Sequence, residues 1–164
     1  RPAPRDPGEP PPVTYSIAGT WSGWHRAPMR WDQGCFVQEV TIGHEGYESF
    51  QVLLNGNWDT VFYPSIQDGS PWAKCKLRGP DKQGHYRNWT IGRPKEKLLW
   101  RNVAKTGERY LVLVKVNAEG IATAVTWRRL EEGEGKAAEL PGADGPSSAG
   151  PVAGSLEWRP PATA

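Results

Sequence analysis

The sequence predicts an all-β protein, built as an antiparallel β-sandwich of the immunoglobulin-like or E-set type. Short segments rich in strand-forming residues recur along the chain, and turn signals separate them. No stretch combines a helical stripe of apolar residues with a cap and a stop signal. Seven or so strands at this spacing are typical of a sandwich or barrel.

The first three predicted strands lie in the N-terminal half of the chain. Residues 14–21 alternate with a period of two, and residues 35–42 place their apolar side chains mainly on one face. Residues 48–54 do the same, and they end at Asn55-Gly56, a pair that favours a tight hairpin turn. The sequence therefore predicts a hairpin whose second strand begins after Gly56.

The later strands are less regular. The segments predicted as strands are 58–63, 88–91, 98–103, 110–116 and 121–127. Asn117 to Gly120 separates the last two and predicts the clearest hairpin of the chain. Residues 79–84 are rich in Gly and Pro and predict a turn.

Composition divides the chain into three parts. Residues 1–12 contain six prolines and predict an extended, polyproline-like tail. Residues 131–164 hold 18 Gly, Pro or Ala among 34 positions. Such a segment has too little apolar surface to fold alone. Residues 13–130 form the predicted sandwich. Leu156 and Trp158 are isolated apolar residues within the C-terminal tail, which suggests an anchor that docks on a partner.

The net charge of +2 conceals an uneven distribution. Residues 74–105 carry ten Lys or Arg against two acids, whereas residues 131–164 carry two bases and six acids. We name the following side chains the basic patch: Lys74, Lys76, Arg78, Lys82, Arg87, Arg93, Lys95 and Lys97. Aromatic residues alternate with these charges, a pattern that suits single-stranded nucleic acid or another polyanion. No RNA-binding signature is present, so nucleic acid is the less favoured partner.

Catalytic and metal-binding motifs are absent from the sequence. It contains no nucleophile elbow, zinc-protease, phosphate-loop or dinucleotide fingerprint. Its three histidines are not spaced for a shared metal ion, and Glu45 and Glu48 fit solvated turn charges better than a catalytic pair. Cys35 and Cys75 form no ligand cluster, and their spacing leaves a disulfide open. We expect a protein that binds rather than catalyses, without cofactor or metal.

Two tryptophan-bearing segments resemble a known family. Gly19-Thr-Trp-Ser-Gly-Trp24 and Asn55-Gly-Asn-Trp58 follow the order of the "G-x-F-x-x-W" and "D-G-x-W" signatures. These occur in the starch- and glycogen-binding modules of carbohydrate-binding families 20 and 48, including that of the AMP-activated kinase β subunit. The resemblance covers residues 15–64 and implies a sandwich that binds α-glucan.

The resemblance also implies which residues bind. Trp24 and Trp58 occupy the positions whose indoles stack on glucose rings, since an exposed indole offers a rigid apolar plane to a sugar. Gln51 stands where the family has a lysine, seven residues before the second tryptophan. Asn55 replaces the aspartate of "D-G-x-W". On this interpretation Gln51 and Asn55 donate or accept hydrogen bonds with sugar hydroxyls, whereas Trp21 takes a position that is normally core.

A second class of function stays open at this point. The chain fits an accessory subunit of a large assembly, for example a photosynthetic complex, whose tails strap the sandwich in place. Partners would then be proteins rather than polysaccharide. The sequence contains no run of about eighteen apolar residues and therefore predicts no membrane-spanning helix. The compartment is not encoded in an obvious signal, and an intracellular location, in cytoplasm or plastid, is favoured.

Overall fold

Ten short strands and one 3-10 helical turn make up the regular structure of the described residues. The structure, a computed structural model, describes residues 8–92 and 102–134 of the 164-residue chain. The strands are β1 (Tyr15–Gly19), β2 (Arg26–Pro28), β3 (Arg30–Asp32), β4 (Cys35–Thr41), β5 (Glu48–Leu54), β6 (Val61–Pro64), β7 (Leu77–Asp81), β8 (Trp89–Ile91), β9 (Arg109–Val116) and β10 (Ala122–Arg129). The 3-10 turn, Thr20–Ser22, follows β1 directly.

The strands form two antiparallel sheets that enclose a common core. Sheet A has six strands in the order β2-β1-β5-β6-β7, with β8 paired to the start of β5. Sheet B has four strands in the order β10-β9-β4-β3. The prediction of an antiparallel all-β sandwich is therefore confirmed, while the immunoglobulin-like subtype stays a prediction.

Aromatic side chains fill the space between the sheets. Tyr15 of sheet A meets Phe36 of sheet B with ring centroids 4.9 Å apart, and Phe50 meets Trp127 at 5.7 Å. Trp127 is almost fully buried, as its place on the last strand predicts. Edge and tilted arrangements of this kind add to the apolar burial that stabilises the sandwich.

Most of the predicted strands agree with the structure to within one or two residues. They are the predicted segments 35–42, 48–54, 88–91, 110–116 and 121–127, which correspond to β4, β5, β8, β9 and β10. Both predicted hairpins also form. Asn55 and Gly56 have φ angles of 55° and 66°, as a tight turn of that type requires. Asn117 Oδ1 accepts the backbone N–H groups of Glu119 and Ile121, which fixes the second turn.

Other boundaries differ from the prediction for local reasons. The first strand ends at Gly19, two residues early, because Trp21 lies in the 3-10 turn and its ring folds back over Gly19. Residues 58–60 form the turn before β6, because the Thr60 N–H and hydroxyl both bond Asn57 O. The predicted turn over residues 79–84 is wrong at its start, because residues 77–81 pair with β6 as β7.

Part of the proline-rich N-terminal segment packs on the sandwich. The Trp31 indole N–H donates to the carbonyl of Gly8 at 3.0 Å, and Pro11 is buried. The predicted anchor residues Leu156 and Trp158 lie outside the described residues. So does most of the predicted strand 98–103.

No helix in the described ranges 8–92 and 102–134 has the length and the apolar character that a crossing of the bilayer needs.

Candidate functional site

Sheet A is covered on both of its faces. Side chains alternate across a strand, so one face of β5 packs into the core and the other turns away from sheet B. Nevertheless every residue of β5 except Leu54 is buried. A second apolar cluster explains this burial on the outer face. It consists of Ala18, Leu53, Val61 and Tyr63, with Trp24 and Trp58 packed against them.

A groove lies on this outer face. Its volume is about 480 Å³, within the range of ligand sites in proteins. The residues that line it come from three separate parts of the chain: Trp24, Gln51, Trp58, Asp59, Val61, Lys82, Gly84, His85, Tyr86 and Asn88. Three of the four residues predicted to bind ligand, Trp24, Gln51 and Trp58, are therefore brought together here.

Trp24 reaches the groove through an unusual backbone conformation. The 3-10 turn ends in two successive left-handed residues, Gly23 with φ of 64° and Trp24 with φ of 67°. The Trp24 N–H donates to the carbonyl of Gly19 at 2.8 Å, which closes the turn. A bulky residue in this region is an outlier held by its surroundings, and such residues cluster at binding sites.

Trp58 enters from the turn between β5 and β6. Its indole N–H is buried, and it has no hydrogen-bond partner among the described residues. Buried indole N–H groups normally find an acceptor, because an unsatisfied donor costs about 1–3 kcal/mol. Next to it, the Asp59 backbone N–H donates to Asn57 Oδ1 at 2.8 Å, so the turn is held by its own side chains.

Gln51 supports the groove from below. Its side chain is only 7% exposed, and Nε2 donates to the carbonyls of Gly84 at 2.7 Å and Arg87 at 3.1 Å. Both donor hydrogens of the amide are thus committed to the loop that precedes β8. We name residues 82–88 the aromatic loop. Gln51 is therefore a positioning residue for this loop.

The aromatic loop presents the most exposed aromatic side chain in the described part of the chain. Tyr86 is 71% exposed and has a positive φ of 69°. Its ring lies 3.9 Å from that of His85, centroid to centroid. Gly84 fixes the loop to the sheet, since a Cβ there would lie 2.7 Å from the ring of Tyr63. The loop thus packs closely on the sheet and leaves Tyr86 facing solvent.

The three large aromatic rings of the groove do not touch one another. Within the described residues, no ring contact joins any two of Trp24, Trp58 and Tyr86. Separate planes suit a ligand that extends over several units.

Asn55 does not line the groove. Its Oδ1 accepts the backbone N–H of Thr14 at 2.9 Å, and its own N–H donates to Thr14 O at 2.7 Å. These bonds tie the β5–β6 turn to the chain that enters β1. The structure thus gives Asn55 a role in the turn, which its place in the "D-G-x-W" position also implies.

The five described members of the basic patch are all exposed: Lys74, Lys76, Arg78, Lys82 and Arg87. Arg93, Lys95 and Lys97 lie outside the described residues. Arg78 pairs in register with Tyr63, so it projects from the groove face of sheet A. Lys82 lines the groove itself.

Tyr63 belongs to the outer apolar cluster of sheet A and lies near these charges. Its hydroxyl donates to Asp81 Oδ1 at 2.8 Å. Burial raises the pKa of Tyr63 above its usual value, and the hydrogen bond and charge of Asp81 raise it further. The positive charges of Arg87 and Arg78 act in the opposite direction on the same pKa.

The residues considered for catalysis lie elsewhere and have structural partners. Glu48 is buried, and its carboxylate accepts the Thr20 hydroxyl at 2.6 Å and the Gly43 N–H at 2.8 Å. Glu45 is exposed beside His44. Cys35 and Cys75 are free thiols. No group of three or more potential metal ligands occurs in residues 8–92 and 102–134.

Sequence reasoning missed Asp59, Tyr86 and Asn88 as groove residues. The stretch around His85 and Tyr86 stood out only as aromatic residues among basic ones. Its proximity to Trp24 and Trp58 depends on the pairing of β7 and β8 with the rest of sheet A, which no local pattern reports.

Comparison with protein-family models, curated proteins and solved structures finds no significant match to this chain.

Proposed function

We propose that the protein is a non-catalytic carbohydrate-binding module, and that the groove on sheet A is its binding site. The observation that carries the proposal is the set of separate aromatic planes, Trp24, Trp58 and Tyr86, around one groove with polar walls. Sugar rings present flat C–H faces to such planes and hydroxyl groups to the residues between them. Binding modules combine apolar surface with a few polar groups in this way.

The polar residues of the groove suit hydroxyl groups. Asp59 offers a carboxylate acceptor, and Asn88 offers both a donor and an acceptor. The indole N–H of Trp58, buried and without a partner in the described structure, would gain an acceptor if ligand binding turned the ring toward a hydroxyl oxygen.

An α-glucan is the most specific ligand that we propose. The proposal rests on the resemblance of residues 15–64 to starch- and glycogen-binding modules. In those modules the tryptophans at the positions that correspond to Trp24 and Trp58 stack on glucose rings. The structure supports it by placing both residues in one groove. The departure at Gln51 is compatible with it, since the amide holds the loop that carries Tyr86.

Retention on insoluble starch tests the proposal. We expect wild type to be retained, and Trp58→Ala and Tyr86→Ala each to lose most of that retention. Tyr86→Ala is the cleaner variant, because the side chain is exposed and its loss leaves the fold intact. Trp31→Ala is the control, since Trp31 is a half-buried tryptophan on the edge strand of sheet B, whereas the groove lies on sheet A. Thermal unfolding of each variant separates lost binding from lost structure.

Equal retention of wild type and both groove variants would show that the groove is not the site. Retention of none of them on starch, glycogen or any other polysaccharide would refute the function itself.

A further inference from the structure

The groove is lined and flanked by positive charges that have no counterpart within the described structure. Lys82 lines it, Arg78 pairs in register with Tyr63 on the same face of sheet A, and Arg87 belongs to the aromatic loop. None of the three forms a salt bridge with a described residue, and all three are exposed. In contrast, the described Arg30, Arg109, Arg128 and Arg129 each pair with an acid.

Two acids lie near these charges, and neither forms a salt bridge with any of the three cations in the described structure. Asp81 is a single carboxylate among the three cations, and its Oδ1 accepts the Tyr63 hydroxyl and the Gln83 N–H. Asp59 lines the groove beside Trp58, on the turn between β5 and β6. The cations belong instead to β7 and the aromatic loop. The groove therefore has a carboxylate on one wall and an excess of cations toward the other.

A neutral glucan would leave this arrangement unused. Lys and Arg side chains contribute charge-assisted hydrogen bonds when the ligand supplies an anionic oxygen. Asp59 accepts hydroxyl donors, which sugars have in abundance, and it would repel a ligand that carries charge at every unit. A saccharide with scattered anionic substituents meets both conditions.

We propose that the natural ligand is an anionic saccharide, whose phosphate, sulfate or carboxylate groups lie against Lys82, Arg78 and Arg87 while its rings stack on the aromatic planes. This inference rests on the proposed function and goes beyond it by assigning charge to the ligand. A nucleic acid shares the rings and the charge, but it offers few hydroxyl donors to Asp59.

The test compares ligands of equal length in isothermal titration calorimetry. The probes are neutral maltoheptaose, the same oligosaccharide with a phosphate on one unit, the same oligosaccharide with a sulfate on one unit, a partly methyl-esterified oligogalacturonate and a deoxythymidine oligonucleotide. We expect at least one anionic saccharide to bind more tightly than maltoheptaose, and its affinity to fall as NaCl is raised, since salt screens exposed charges.

Two lysine substitutions make the comparison specific. Lys82→Gln should weaken binding of the anionic saccharide about fivefold, the upper size of an exposed ion pair, and should weaken maltoheptaose binding clearly less. Lys115→Gln is the matched control, an exposed lysine on β9 of the other sheet. It should change neither affinity. Tyr86→Ala should weaken binding of both kinds of saccharide.

Each other outcome overturns the inference. If maltoheptaose binds as tightly as every anionic saccharide, or if Lys82→Gln behaves like Lys115→Gln, the charge assignment is wrong and the carbohydrate function stands. If the oligonucleotide binds more tightly than every saccharide, the ligand is a nucleic acid. If no saccharide binds at all, the proposed function fails together with the inference.

Discussion

Gln51 offers a way to alter the groove through the loop that its side chain holds. Substitution by Met keeps the length and approximate volume of the side chain but removes both hydrogen bonds from Nε2 to the carbonyls of Gly84 and Arg87. Each bond contributes about 1 kcal/mol net, so the expected loss in the free energy of unfolding is about 2 kcal/mol. For a domain of this size, that corresponds to a fall in Tm of roughly 8 °C.

Urea unfolding and thermal unfolding measure this loss directly. Gln38→Met is the matched control, because Gln38 is a half-buried glutamine on β4 whose amide donates only to the adjacent Glu39 carbonyl. Gln51→Glu should be more destabilising than Gln51→Met near neutral pH, since a carboxylate would face two carbonyl oxygens. Limited proteolysis should cleave the aromatic loop faster in both Gln51 variants.

If Gln51→Met and Gln38→Met have the same stability and the same cleavage rate in the aromatic loop, Gln51 does not position that loop.

Two further predictions concern the sandwich itself. Burial raises the pKa of Tyr15 and of Tyr110 to about 12, so each keeps its proton in the folded state to a higher pH than in the unfolded chain. The contribution of these two protonated tyrosines to the free energy of unfolding is complete below pH 10 and is lost as pH rises toward 12, by up to about 2.7 kcal/mol each. The urea midpoint should fall over this range, and it should fall less in Tyr15→Phe. An unchanged midpoint would contradict the raised pKa values. Gly19→Ala should destabilise the fold by about 1–3 kcal/mol, because its Cβ would overlap the ring of Trp21. The double variant with Trp21→Ala should recover part of that loss in the same unfolding assay, and simple additivity would argue against the clash.

The elements that the sequence predicted well are those in which one local pattern suffices. β5 and β9 alternate apolar side chains over seven or eight residues, and their turns contain Asn and Gly where positive φ is required. β2 and β3 were missed because each has only three residues and, unlike β8, no uninterrupted run of strand-forming side chains. A segment that short carries no measurable period, and its pairing is set by its neighbours.

The candidate site was predictable only where resemblance supplied the positions. Trp24 and Trp58 lie in the groove, yet nothing in their local sequence reports that they share a face of sheet A. Tyr86 could not be predicted as a groove residue, because its place beside Trp24 and Trp58 depends on the pairing of β6, β7 and β8 in sheet A. Gln51 lines the groove and also bonds the aromatic loop, a positioning role that the resemblance does not imply.

The groove draws its walls from chain segments near residues 24, 58 and 86, so it exists only when sheet A is complete. A partly unfolded chain would offer no site, and a ligand would bind the native state alone. Binding should then add to the free energy of unfolding, by about 2.7 kcal/mol at a free ligand concentration one hundred times the Kd. A library of candidate ligands can therefore be screened without labels, by the rise in melting temperature that each one produces.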